Sequence, residues 1–190
     1  MLLISQNINS YDIEIPKNSV LRINMAWCNS LKELEEKLIG EKQNKFFIDL
    51  PIGRIKPPNN RYTLDEMIPI IESNSNVKYF AVSNVETKKD LEEFIQKLPK
   101  EVIIVPKIES VKAIDNIDEI CNSLKTSEKI VMLDHDDLFS SIVRNDEKQE
   151  KFQECIKELI DYCQKDNISL LRTVGVVFSD DEKRTTQYIK

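Results

Sequence analysis

Two short stretches hold residue types on which chemistry can be built. In Val105-Pro106-Lys107-Ile108-Glu109-Ser110 an apolar, strand-like run ends in a cation and an anion two positions apart. Side chains alternate along a strand, so Lys107 and Glu109 leave on one side and Ile108 on the other. Farther on, Leu133-Asp134-His135-Asp136-Asp137-Leu138 closes a second apolar run with three carboxylates. If the two runs are adjacent strands, a glutamate and an aspartate from their ends converge as hard oxygen ligands for Mg²⁺ or Mn²⁺, leaving positions open for water and substrate. A lysine beside them would stabilise negative charge developing on an enolate or phosphoryl oxygen. The same residues would serve equally as a surface ion pair and a helix-capping aspartate. His135, the only histidine, is read as a metal ligand, a proton donor or simply a solvated loop residue.

Such side chains must be carried by regular elements, and the chain alternates short apolar runs with longer stretches of helical periodicity. The expected strands are 20–24, 46–49, 79–83, 102–107, 130–133 and 169–173. Between them, Ser30 or Asn29 can cap a helix carrying Leu31, Leu34, Leu38 and Ile39, and Thr63 one carrying Met67, Ile68, Ile70 and Ile71. Thr87 starts a third, and 111–124 and 148–164 complete the series. A repeated βα pattern implies a parallel sheet covered by helices. An open doubly wound sheet and a closed barrel both satisfy it. Polar residues at the strand ends, namely Asn24, Asp49, Ser83, Glu109, Asp137 and Thr173, fit the barrel, whose active sites gather there. Strand ends are also polar for the plain reason that the chain leaves the core at them.

Bulk composition sets the outer bounds. The chain has 190 residues, enough for one domain and short of the roughly 250 usual in a complete eight-unit barrel. Its net charge of -6 disfavours nucleic acid and anionic membrane as partners, since both are negative. No apolar run approaches the roughly 20 residues of a membrane helix, and the opening Met1-Leu2-Leu3-Ile4-Ser5 is too short for a signal peptide, so a cytoplasmic location is expected. Cys28, Cys121, Cys155 and Cys163 are scattered, which predicts free, buried thiols. Only three glycines are present, which excludes a P-loop and a dinucleotide fingerprint.

Over roughly residues 18–178 the order of motifs resembles the catalytic barrel of the pyruvate kinase family. The segments that carry the resemblance are Val20 to Trp27, Ile48-Asp49 with Gly53-Arg54-Ile55-Lys56, Tyr62 to Glu66, and Phe80 to Val85. They continue with Lys107-Ile108-Glu109-Ser110 followed by Ile114 to Ile120, then Asp137-Leu138, and finally Leu171-Arg172-Thr173. The resemblance implies a shortened (β/α)8-type TIM barrel of about seven strands, a single domain over 1–178 with a polar tail at 179–190. It implies Glu109 and Asp137 as ligands of Mg²⁺ or Mn²⁺, Lys107 as the residue that stabilises the transferring or enolate oxygen, and Thr173 and Arg22 as catalytic neighbours of the substrate and its phosphate. Asn24 and Asp49 would correspond to monovalent-cation (K⁺) ligands, and Ser83 and Asn84 would lie close to the substrate. Ala26 and Leu50 replace two oxygen donors of that cation set, and Asp136 and Phe139 replace the glycines flanking the metal aspartate.

The family's lid domain would sit between Lys56 and Arg61, where only a proline-rich loop stands. Without a lid, water is not excluded from a phosphoryl-transfer site. No eighth strand is evident either, and an unclosed barrel has two unpaired edges, so a homo-oligomer or a partner chain covering the edge is expected. Three functions follow. The first is handling the enolate of a phosphoenolpyruvate or pyruvate-type oxoacid with Mg²⁺. The second is a metal-dependent aldolase or citrate lyase of the same superfamily, whose metal block resembles Ile108-Glu109-Ser110 with Asp137 to Ser141. The third is a non-catalytic binding or regulatory module, to which the replacements at 26, 50, 136 and 139 point.

Overall fold

The structure is a computed structural model that describes residues 1, 3–5, 18–52, 58 and 60–172, together with the backbone of 176–178 and 184–186. Gly53, Arg54, Ile55, Lys56 and Thr173 lie outside the described residues.

Seven parallel strands follow one another in chain order across a single curled sheet: β1 (Leu3–Ser5), β2 (Val20–Asn24), β3 (Lys45–Leu50), β4 (Val77–Val82), β5 (Ile103–Ile108), β6 (Ile130–Leu133) and β7 (Ser169–Arg172). The fold is thus an α/β half-barrel, a shortened form of the TIM-type barrel. Helices α1 (Leu31–Gly40), α2 (Leu64–Ser73), α3 (Glu92–Lys97), α4 (Val111–Asp115), α5 (Ile117–Ser123), α6 (His135–Arg144) and α7 (Lys151–Lys165) make the crossovers.

Alternation along the strands sorts the core into two layers. Leu21, Ile23, Phe46, Ile48, Phe80, Val82, Ile104, Ile108, Val131 and Leu133 face the helices and belong to the larger cluster. Their neighbours Val20, Phe47, Ala81, Val105, Ile130 and Met132 form a smaller cluster on the inner wall. The inner wall turns polar towards the C-terminal strand ends, because the next residues in the inward register are Arg22, Asn24, Asp49, Lys107 and, just past the strands, Ser83, Glu109 and Asp134.

Local signals account for most helix starts. Ser30 caps α1 by accepting from the Glu33 N–H, and Thr63 and Glu66 form a capping box at α2. Other elements differ from expectation. The apolar opening of the chain is not merely a short lead: Leu3–Ser5 pairs with β2 and supplies the seventh strand. The stretch 111–124 is two helices, broken at Asn116, whose side-chain amide donates to the Glu86 carbonyl at 2.9 Å. Helix α6 was not among the helices read from periodicity, but the helix-capping aspartate offered as one reading of the acidic run is present, with Asp134 in the capping position. In the polar tail, β9 (Arg184–Thr186) pairs antiparallel with β8 (Val176–Phe178), apart from the main sheet. Among the described residues β1 and β7 are the two edges of the sheet.

Candidate functional site

Strand β5 carries the first half of the site. Pro106 pairs in register with Val82 of β4, while pairing with β6 is made by Lys107 and Ile108 against Met132 and Leu133. The Asp134 N–H then donates to the Ile108 carbonyl at 3.2 Å, extending the β5–β6 contact by one residue past the strand. That bond brings Asp134 to the same rim as Glu109. Capping fixes the next acid: the Asp134 carboxylate accepts from the Asp137 N–H at 3.3 Å, so Asp137 lies in the first turn of α6 directly over it.

Glu109, Asp134 and Asp137 each offer an oxygen, and the three oxygens lie within 4.8 Å of one another. An all-oxygen set at that spacing fits one hard divalent cation with bonds of about 2.0–2.6 Å. Glu109 is buried and oriented at both oxygens, accepting from Lys107 Nζ at 2.6 Å and from the Asn84 backbone N–H at 2.6 Å. Asn84 presents that N–H because its backbone is left-handed, with φ of 54°, a conformation asparagine tolerates better than most residues. Its side-chain amide also donates to the Ile52 carbonyl.

Lys107 is 5% exposed, and its ammonium lies 2.6 Å from Glu109, 3.5 Å from Asp134 and 3.4 Å from Ser83 Oγ. Burial works against that charge, but Asp49, Glu109 and Asp134 together outweigh it and hold the Lys107 pKa above the usual lysine value. Three carboxylates and one ammonium leave this rim short of positive charge.

A second pair stands across the wall. Asn24 and Asp49 are register partners on β2 and β3. The Arg22 guanidinium is paired with Asp49, with Nε donating to Oδ2 at 3.2 Å. Asp49 is fully buried, and its Oδ1 has no hydrogen-bond partner among the described residues. The Asn24 side chain accepts from the Ala26 N–H at 3.0 Å and caps the short 3₁₀ turn Met25–Trp27. Glu109 and Asp137 thus meet with Lys107 beside them, while Arg22 pairs with Asp49, whose charge also acts on Lys107, and Asn24 caps its own turn. Asp134 is the member that sequence reasoning passed over in favour of Asp137. Its signal was the Asp-x-x-Asp spacing at the end of an apolar run, which marks a capping residue.

His135 is not a member of the acidic cluster. Its Nε2 is 3.5 Å from an Arg172 guanidinium nitrogen and its ring packs edge-on to Phe152, at 6.4 Å between centroids. Burial and the Arg172 charge lower its pKa. Trp27 is 60% exposed. All four cysteines are free and buried, with burial pushing Cys121 up to about 11.

Fold and rim together define a parallel α/β half-barrel with an acidic mouth. More narrowly, the family model described as HpcH/HpaI aldolase/citrate lyase matches residues 62–188, well over half of the chain, and the chain belongs to that family. The membership corresponds to the lyase reading of the sequence and not to pyruvate kinase in particular; the Lys-Ile-Glu-Ser block carried the broader likeness without separating the two. Among solved structures, the crystal structure of RipC from Yersinia pestis superposes with a TM-score of 0.59 at 13% identity, covering 85% of this chain and 72% of that one. That likeness concerns the fold alone. No curated protein matches the chain. Among the described residues no helix is long and apolar enough to cross a membrane.

Proposed function

We propose that the chain is a divalent-metal-dependent carbon–carbon lyase or aldolase that handles the enolate of a pyruvate-type oxoacid. The observation that carries this is the convergence of Glu109, Asp134 and Asp137 at the C-terminal rim of β5 and β6, in a chain of the aldolase/citrate lyase family. A bound Mg²⁺ or Mn²⁺ would supply Lewis acidity, polarising the oxoacid carbonyl and stabilising the enolate oxygen. Glu109, Asp134 and Asp137 would hold it, and the Asn84 N–H would keep Glu109 from rotating away. Lys107 adds a second positive charge from the wall, in a site dry enough for it to count. Arg22, anchored by Asp49 and with about a quarter of its side chain exposed, would receive a carboxylate or phosphate of the substrate. Ser83, Asn84 and Thr173 would border the same space, and Asn24 with Asp49 would line its far side. A homo-oligomer is proposed to cover the β1 and β7 edges.

The test is exchange of pyruvate methyl protons with solvent deuterium in the presence of Mn²⁺ or Mg²⁺. Exchange that requires the metal and disappears in Glu109→Gln is the expected result. Lack of exchange with either metal would remove the enolate chemistry and leave a binding module.

Lys107 favours a second reading, phosphoenolpyruvate handling of the kinase type, because a buried ammonium beside the metal carboxylate suits a transferring phosphoryl oxygen as well as an enolate. Calorimetry with ADP separates the two: measurable affinity supports the kinase type, and none supports the lyase.

A further inference from the structure

We infer that Lys107 is the resident counter-cation of the acidic rim, occupying the oxygens of Glu109 and Asp134 until a divalent ion displaces it, and that Asp49 receives the displaced ammonium. This rests on the metal reading given above and goes beyond it by assigning the lysine two positions.

Two observations carry the inference independently. The first is what the ammonium touches. Nζ lies 2.6 Å from Glu109 Oε1 and 3.5 Å from Asp134 Oδ2, so it sits against two of the three carboxylates that would bind the ion. A dication and an ammonium held at bonding distance from the same carboxylates repel each other strongly in a buried setting. The lysine must therefore yield when the ion enters. The second observation is a receiver for it. Asp49 is fully buried, pairs with Arg22 through Oδ2 alone, and leaves Oδ1 without a partner among the described residues. A buried carboxylate oxygen in that condition carries a full desolvation penalty, of the kind proteins seldom leave uncompensated.

Asp49 and Lys107 are both in the inward register, on β3 and β5, with β4 between them. Ser83 stands at the end of β4, and its hydroxyl is already 3.4 Å from Nζ. A lysine side chain has the length and rotatable bonds to swing from one group to the other over that hydroxyl. With the ion bound, the rim would gain its dication and Asp49 Oδ1 would gain the ammonium. Lys107 stays charged throughout; only its partner changes.

The experiment is Mn²⁺ binding, followed by the electron paramagnetic resonance of the free ion, on the full chain and its variants. The wild type should bind, and Glu109→Gln should not; if neither binds, the metal reading itself falls and this inference with it. Given wild-type binding, Lys107→Met should bind Mn²⁺ about tenfold or more tightly, since the competing cation is gone, while Lys107→Arg should not. Asp49→Asn should weaken Mn²⁺ binding about tenfold when Lys107 is present, and by about twofold or less in the Lys107→Met background. Unchanged or weaker Mn²⁺ affinity in Lys107→Met would overturn the inference while leaving the metal site intact. An Asp49→Asn effect of equal size in both backgrounds would overturn the role of Asp49 as receiver. Should Asp49→Asn not fold, Lys107→Met against Lys107→Arg still decides the matter.

Discussion

Two charged groups share the inner wall, and they are built on opposite principles. On β2 and β3 one guanidinium meets one carboxylate, Arg22 on Asp49, and the charges balance. On β5 and β6 three carboxylates meet one ammonium, and they do not. The first arrangement is complete as protein, apart from one bare oxygen; the second wants about two more positive charges. A surplus of buried anion is what a divalent cation neutralises, so the imbalance marks which of the two groups is built to take an ion.

The most damaging way to break the contrast is Glu109→Gln. It removes the most deeply held ligand, and metal-dependent proton exchange should fall by at least about a hundredfold. Next come the two cations. Arg22→Met strands a fully buried carboxylate and should lower stability by about 3 kcal/mol, read by urea denaturation. Added Mg²⁺ should restore only part of that deficit, by sending the Lys107 ammonium to Asp49. Lys107→Met should also destabilise the fold, but here excess Mg²⁺ should restore most of the loss through its binding to the native rim. If Mg²⁺ rescues both variants equally or neither, the distinction between a closed pair and an open one is wrong. Asp137→Asn removes the ligand on the helix side; it should weaken Mn²⁺ binding about tenfold and change stability by less than about 0.5 kcal/mol. Smallest is Thr63→Ala at the α2 cap, where the hydroxyl bonds Glu66 rather than either group. It should lower stability by about 1 kcal/mol and leave ion affinity unchanged.

The sequence made the sheet legible because six of its seven strands are apolar runs flanked by helices with clear periodicity and capping residues such as Ser30 and Thr63. Leu3–Ser5 escaped because three residues are too few to show alternation; only its partner β2 makes it a strand. Helix α6 showed only as a capping aspartate among other readings, for a different reason. An acidic first turn reads as a loop or a ligand cluster, yet acidic side chains are favoured at a helix N-terminus, where the backbone N–H groups point outward. That double meaning is also why Asp134 was passed over, for it is both the cap of α6 and a member of the rim. Lys107 and Glu109 were legible from period-two spacing alone. The pairing of Arg22 with Asp49 was not, since it depends on the register between β2 and β3, which no local pattern encodes.

The bond from Asn84 to Glu109 comes from the main chain. No replacement at position 84 other than proline deletes an amide proton, so the orientation of the principal acid is insulated from the side chain there. What a replacement can alter is the dihedral angle. Glycine would keep the donor aimed, whereas valine or isoleucine, which resist a positive φ, would turn it aside without touching a single acidic residue.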